Sequence, residues 1–230
     1  MLDAVELVTG PDGVRVEWSV IWLHGLGADG HDFASIVPEL SLPPSVSVRF
    51  VLPHAPVMRV RINGGAPMRA WYDVSVADLS RSPDLEGMNR SVGYIRALAE
   101  KEVERGTPRD RIILAGFSQG GVIALLSVFT GPEKWGGVLA LSTYIPLSGD
   151  RPLVPFTDNP TPLLMVHGTE DGVIPAILGK KSFDFLRSLG PGRLREWREY
   201  PMGHSVCLAE IEEIGEWLSG IISSSGTGSQ

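Results

Sequence analysis

The chain has 230 residues, 43% apolar and 20% charged, with a net charge of −7. This length favours one large domain, and the acidic balance, with no Lys/Arg cluster, argues against a nucleic-acid partner. A single cysteine excludes an internal disulfide and, with no basic-then-apolar leader at the start, predicts a cytoplasmic protein. The longest apolar run, around residues 122–129, is too short to span a bilayer, so no stable membrane insertion is expected.

Strand patterns and helix patterns alternate along the chain. The predicted strands cover residues 20–23, 48–52, 112–115, 137–141, 163–166 and 194–200, and the predicted helices cover 32–40, 85–103, 119–130, 175–189 and 206–222. Strands that are apolar on both faces and alternate with helices are typical of a mostly parallel sheet covered on both sides. We therefore predict a single α/β domain over residues 1–222.

Three segments fall outside this pattern. Residues 53–82 are rich in Pro, Gly and Asn and predict an irregular loop, which at that length is usually functional. Residues 142–162 are proline-rich without a helical period, so no cap domain is expected there. The low-complexity tail 223–230 is predicted to be disordered.

The motif Gly116-Phe-Ser-Gln-Gly120 lies between a predicted strand and a predicted helix. In this context the serine of G-x-S-x-G occupies a sharp, strained turn that exposes its hydroxyl. Side chains at Gly116 and Gly120 would collide across such a corner. Ser118 is therefore the predicted nucleophile, against the alternative of an ordinary strand-to-helix turn.

A nucleophilic serine needs a histidine base and an orienting acid, which should follow strands of the same sheet. Two carboxylates, Glu170 and Asp171, follow the strand at 163–166, and His204 follows the next strand. The order Ser118, Asp171, His204 is the order expected of this architecture. Other roles are predicted for the remaining histidines: a brace for its own loop (His24), a surface residue (His31), a turn residue (His54) and a hydrogen-bonded structural residue (His167).

An oxyanion hole needs two fixed N–H donors. One is expected from Gln119, directly after the nucleophile, and the other from the glycine loop His24-Gly-Leu-Gly-Ala-Asp-Gly30. This loop completes no G-x-G-x-x-G run, so it does not predict NAD binding.

Six motifs occur in order, and together they resemble the phospholipase/carboxylesterase family of α/β-hydrolases, which includes bacterial carboxylesterases and acyl-protein thioesterases. They are His24–Gly30, Gly64–Asp73, Gly116–Gly121, Leu141–Tyr144, His167–Asp171 and Tyr200–His204. The resemblance covers about residues 19–218 and is closest to the bacterial carboxylesterase branch, through Asn63-Gly-Gly65 and the segment 68–73.

This resemblance implies an α/β-hydrolase fold with a mostly parallel sheet, helices on both faces and no cap. It implies Ser118 as nucleophile, Asp171 rather than Glu170 as the acid, His204 as the base, and the N–H groups of Leu26 and Gln119 as oxyanion donors. No metal or organic cofactor is implied, and family relatives often pair as homodimers.

The expected activity is hydrolysis of small short- to medium-chain carboxylic esters by a cytoplasmic serine carboxylesterase. The loop 53–73, with Trp71 and Tyr72, is expected to flank the acyl groove, and Ile145 and Val173 are expected on its wall. Cys207 is expected to be a small apolar helix residue, with a reactive thiol beside the base as the alternative. An acyl-protein thioesterase or a lysophospholipase with the same triad remains an alternative, as does a binding protein that kept the fold without the chemistry.

Overall fold

A computed structural model describes residues 2–75, 83–148, 151–190 and 195–224. The strands are β1 (Ala4–Thr9), β2 (Trp18–Leu23), β3 (Val48–Pro53), β4 (Val57–Val60), β5 (Ala66–Arg69), β6 (Ile112–Phe117), β7 (Gly137–Leu141), β8 (Leu147–Ser148), β9 (Arg151–Pro152), β10 (Leu163–Gly168) and β11 (Arg195–Tyr200). The α-helices are α1 (Leu85–Glu104), α2 (Gln119–Phe129), α3 (Ala176–Ser188) and α4 (Leu208–Ser224). Short 3-10 helices cover Ala34–Leu40, Arg61–Asn63 and Arg109–Arg111.

Seven strands form one sheet in the order β1-β3-β2-β6-β7-β10-β11. All neighbouring pairs are parallel except β1 and β3, which are antiparallel. The predicted mostly parallel sheet is confirmed. Because parallel strands end at the same edge, the loops after β2, β6, β10 and β11 meet on one side of the sheet.

Each central strand buries both of its faces, because successive side chains point to opposite sides of the sheet. On β2, Ile21 and Leu23 belong to the core beneath α1, α2 and α3, whereas Val20 and Trp22 belong to the core beneath α4 and the 3-10 helix Ala34–Leu40. Fully burying one such side chain stabilises the fold by about 1.5–3 kcal/mol. These two cores make the sheet a rigid base for the loops at its edge.

Two elements near the start of the chain differ from the sequence-based prediction. β1 was not predicted, because its residues are only partly buried at the sheet edge and their pattern is not strictly alternating. The helix predicted at 32–40 is a 3-10 helix instead, and it contains Pro38, whose missing N–H disfavours a regular α-helix.

The segments predicted to lack structure also need correction. The stretch 53–82 is not wholly irregular, since β4 and β5 pair as an antiparallel hairpin within it; residues 76–82 lie outside the described residues. Helix α4 continues to Ser224, two residues into the predicted tail, and 225–230 lie outside the described residues.

The segment between β7 and β10 carries only the short pair β8 and β9, with no helix among its described residues 142–148 and 151–162. It therefore builds no cap over the loops at the strand ends. Within the described ranges, none of the helices is both long enough and apolar enough to cross a membrane.

Candidate active site

Ser118 occupies the sharp turn between β6 and α2. Its backbone angles, φ 54° and ψ −118°, are unusual for a residue with a side chain and cost on the order of 1–3 kcal/mol. Two hydrogen bonds to the segment after β7 help to hold this conformation: the Ser118 N–H donates to the Leu141 carbonyl at 2.9 Å, and the Thr143 hydroxyl donates to the Ser118 carbonyl at 2.7 Å.

The glycines on either side of Ser118 allow the turn to close. A Cβ on Gly116 would overlap the Gly120 carbonyl group, and a Cβ on Gly120 would lie 2.5 Å from the Leu23 carbonyl oxygen. Both positions therefore require glycine, in agreement with the sequence-based argument.

Three side chains that are distant in sequence form one hydrogen-bonded chain. His204 Nε2 lies 2.9 Å from Ser118 Oγ, and His204 Nδ1 lies 2.7 Å from Asp171 Oδ2. Ser118 follows β6, Asp171 follows β10 and His204 follows β11, so the shared edge of the sheet brings them together. The carboxylate is fully buried, whereas the imidazole is 17% exposed and can reach a substrate.

The carboxylate of Asp171 is fixed by more than His204. Its Oδ1 accepts the N–H groups of Val173 at 2.9 Å and Ile174 at 2.8 Å. Burial favours the neutral carboxyl, but the hydrogen bonds from His204, Ile174 and Val173 outweigh it and lower the pKa of Asp171 below its ordinary value. An ionised Asp171 only accepts hydrogen bonds, so His204 carries its proton on Nδ1 and leaves Nε2 free to accept the serine proton.

The other two titratable residues of the motif His167–Asp171 have different environments. Glu170 is exposed, and its N–H donates to the Met202 carbonyl, so Asp171 rather than Glu170 meets His204. His167 is fully buried, its Nε2 donates to the Ile174 carbonyl at 2.8 Å, and its ring stacks on Trp197. His167 is thus a structural residue that supports the loop carrying Asp171.

The two N–H groups expected to bind an oxyanion both belong to residues that line the cavity above Ser118. Gln119 is the first residue of α2, where backbone N–H groups have no partner within the helix. In the described part of the chain, Leu26 makes no hydrogen bond. Both donors are therefore available to a ligand atom near Ser118.

His24 holds the glycine loop from inside. Its Nε2 accepts the Ala55 N–H at 3.0 Å, so the neutral ring carries its proton on Nδ1, which donates to the Gly25 carbonyl at 2.7 Å. Burial lowers the pKa of His24 and keeps the ring in this neutral form. Farther along the loop, the Gly27 N–H donates to the Arg69 carbonyl at 2.9 Å.

A cavity of about 350 Å³ opens beside Ser118 and His204. Apolar side chains dominate its wall, including Leu26, Ile62, Val74, Phe117, Val173 and Ile174, together with the aromatic rings of Tyr72 and Tyr144. Such a cavity suits an apolar chain attached to a polar reacting group.

Two of the four predicted groove residues lie elsewhere. Tyr72 and Val173 are on the cavity wall, but Trp71 and Ile145 are not, since they are 2% and 1% exposed and point into the core. Trp71 donates its indole N–H to the His24 carbonyl, and the Ile145 backbone N–H is bonded to Ser182. The prediction for these two residues was wrong because adjacent side chains in a loop point in opposite directions: Tyr72 and Tyr144 line the cavity, whereas their neighbours Trp71 and Ile145 do not.

The sequence analysis missed several cavity residues. Phe117 packs against His204 with ring centroids 4.8 Å apart, and Ile62 also lines the cavity. The sequence does carry a signal for two of the missed cavity residues: Phe117 directly precedes the predicted nucleophile, and Tyr144 ends the motif Leu141–Tyr144. Ile62 carries no sequence signal, because it belongs to a loop whose path depends on the β4–β5 hairpin.

One group of side chains in the described ranges has the spacing that a metal ion needs: Asp29, His31 and His54. Hydrogen bonds already use these groups, however. Asp29 bonds His31, and the Gly30 N–H donates to His54 Nδ1 at 3.0 Å, which places the neutral ring's proton on Nε2. Neither nitrogen of His54 could bind a metal without breaking this arrangement.

Comparisons with known proteins agree with this architecture. A family model described as phospholipase/carboxylesterase matches residues 8–222. Acyl-protein thioesterase 1 of Neurospora crassa is 38% identical over 219 residues, covering 91% of this chain and 89% of the relative. Acyl-protein thioesterase 1 of Gibberella zeae is 39% identical, covering 87% and 88%. The crystal structure of SOBER1 from Arabidopsis thaliana is similar with a TM-score of 0.78 and 29% identity, covering 89% of this chain and 99% of that protein.

Proposed function

Because this chain belongs to the phospholipase/carboxylesterase family of α/β-hydrolases, we propose that it hydrolyses carboxylic esters through an acyl-enzyme on Ser118. The observation that carries the proposal is the hydrogen-bonded chain from Ser118 through His204 to Asp171. A binding protein without catalysis would have no need to hold a strained serine, an imidazole and a buried carboxylate in one hydrogen-bonded chain.

Acylation begins when His204 Nε2 takes the proton of Ser118 Oγ while the oxygen attacks the ester carbonyl. The charge that develops on the carbonyl oxygen is stabilised by the N–H groups of Leu26 and Gln119. Asp171 stabilises the imidazolium and keeps its ring in place. His204 then gives the proton to the departing alcohol, and the acyl group remains on Ser118.

Deacylation repeats these steps with water as the nucleophile. His204 removes a proton from the water, which attacks the acyl-enzyme, and the same two N–H groups receive the oxyanion. The carboxylic acid leaves as His204 returns the proton to Ser118. No step requires a metal or an organic cofactor.

The cavity supports an acyl group as the bound part of the substrate. Its wall is apolar and it opens to solvent without a cap, which suits soluble short- to medium-chain acyl groups. A thioester is the second candidate, because several relatives are named acyl-protein thioesterase 1 and a thiol leaves from the same tetrahedral intermediate.

The test compares wild type with Ser118→Ala on p-nitrophenyl esters from acetate to palmitate and on matched acyl thioesters. Triad loss costs on the order of a millionfold in kcat, so the variant should be inactive. Ser127→Ala is the matched control, because this buried hydroxyl lies on α2 without a hydrogen-bond partner in the described part of the chain.

Mass spectrometry after treatment with a fluorophosphonate should place the adduct on Ser118. An active Ser118→Ala enzyme, or an adduct on another residue, would contradict the nucleophile. The ratio of kcat/KM for thioester and ester of the same acyl group decides between the two substrate classes.

A further inference from the structure

Trp71 is buried, lies off the cavity, and yet contacts both segments that supply the oxyanion donors. On one side its indole Nε1–H donates to the His24 carbonyl at 2.8 Å. On the other, its backbone N–H donates to Gln119 Oε1 at 2.8 Å. We propose that Trp71 is a positioning residue that sets the geometry of the oxyanion hole, an inference that rests on the proposed function.

The path from Trp71 to the first donor runs through His24. With the His24 carbonyl held by the indole, His24 Nδ1–H donates to the Gly25 carbonyl at 2.7 Å. The Gly25 carbonyl and the Leu26 N–H belong to one planar trans peptide, so fixing the carbonyl points the N–H in the opposite direction. Because Gly25 has wide backbone freedom, this orientation depends on such outside restraints.

The path to the second donor is the side chain of Gln119. Its Oε1 accepts the Trp71 N–H, and its Nε2 donates to the Tyr72 carbonyl at 2.6 Å. The residue is 4% exposed and its amide is bonded at both ends, so it links the start of α2 to the loop that carries Trp71. Trp71 thereby joins the two donor residues through buried hydrogen bonds.

These contacts explain why a tryptophan occupies a position whose side chain does not reach the substrate. An oxyanion hole works because its donors are already placed before charge develops. A change in the separation of the Leu26 and Gln119 donors weakens transition-state binding and leaves ground-state binding unchanged. The signature of Trp71 is thus a loss in kcat at constant KM.

The experiment compares Trp71→Phe with Trp135→Phe on p-nitrophenyl butyrate. Both remove an indole from a site no more than 2% exposed, but the Trp135 indole N–H has no partner among the described residues. Trp135 also comes just before β7, at the edge where the parallel strands begin, whereas Ser118 lies where β6 ends. Trp71→Phe should lower kcat about 10- to 100-fold, less than the 10²- to 10³-fold loss of a whole donor, with KM within about twofold. Trp135→Phe should leave both constants within about twofold.

A second variant, Gln119→Met, breaks the same link from the other end while keeping the backbone donor, and it tests the inference if Trp71→Phe does not fold. It should also lower kcat at constant KM, and the double variant should lose less than the product of the single losses. The affinity of a trifluoromethyl ketone, which forms the tetrahedral adduct, should fall in parallel with kcat.

A wild-type kcat in either variant, a rise in KM alone, or an equal loss in Trp135→Phe would overturn this inference and leave the proposed nucleophile standing. A Ser118→Ala enzyme as active as wild type would instead overturn the proposed function.

Discussion

Replacing Asp171 with asparagine should inactivate the enzyme, because it should shift the ring proton of His204 from Nδ1 to Nε2. The carboxylate presents Oδ1 to the N–H groups of Val173 and Ile174 and Oδ2 to His204. An amide has only one oxygen. If its NH₂ faced the two backbone donors, both would be left unpaired, at about 1–3 kcal/mol each.

In the Asp171→Asn variant the amide oxygen therefore stays with the backbone donors, and the NH₂ faces His204 Nδ1. That nitrogen must then accept, so the ring proton moves to Nε2, which can no longer take the proton of Ser118. A loss of about 10⁴-fold in kcat is expected, or about 5.5 kcal/mol in the barrier. The fold should persist, because the backbone contacts are kept.

The assay is kcat on p-nitrophenyl butyrate together with the rate of fluorophosphonate labelling and a thermal unfolding curve. Glu170→Gln is the matched control, since this neighbouring carboxylate is exposed and should be replaceable at no cost. An inactive Glu170→Gln enzyme, or an Asp171→Asn enzyme within tenfold of wild type, would refute the reasoning.

Two further predictions concern stability, measured by urea unfolding. Gly120→Ala places a Cβ 2.5 Å from the Leu23 carbonyl oxygen and should lower the free energy of unfolding by about 1–3 kcal/mol. Gly93→Ala, at an exposed and open position of α1, should raise it by about 0.5–1 kcal/mol. An unchanged free energy of unfolding in Gly120→Ala would show that the turn has room for a side chain. Burial raises the pKa of Glu210 from 4.5 to about 8, so the folded state holds a proton that the unfolded state releases, and stability should fall as the pH rises from about 4.5 through 8. Glu210→Gln should remove this decline, whereas Glu212→Gln, at an exposed position of the same helix, should keep it. If the free energy of unfolding changed with pH in the same way in wild type and both variants, Glu210 would not be a buried neutral carboxyl.

The central sheet could be predicted from the sequence because its strands are apolar on both faces and bounded by turn residues. Patterns of that kind persist wherever a strand is buried, as in β6 and β10. β1 lies at the edge with partly exposed side chains, and its pairing with β3 depends on tertiary contacts. Local pattern gives little information on such a strand.

The meeting of Ser118, Asp171 and His204 was predictable because each follows a strand of one parallel sheet. The side-chain directions in the loops were not. Trp71 and Tyr72 are adjacent aromatic residues of a single loop, yet one turns into the core and the other faces the cavity. Only the three-dimensional position of Gln119 and His24, which bind the Trp71 backbone and indole, decides between them.

The position of β11 determines when a newly made chain can first react with a substrate. Among the described residues, β11 is the last strand along the chain and one of the two outer strands of the sheet, and the proposed base comes shortly after it, 86 residues after the nucleophile. A chain emerging from the ribosome displays the serine and the carboxylate well before it contains the histidine. Hydrolysis therefore starts only after β11 has paired with β10, so recovery of turnover during refolding reports the docking of this outer strand.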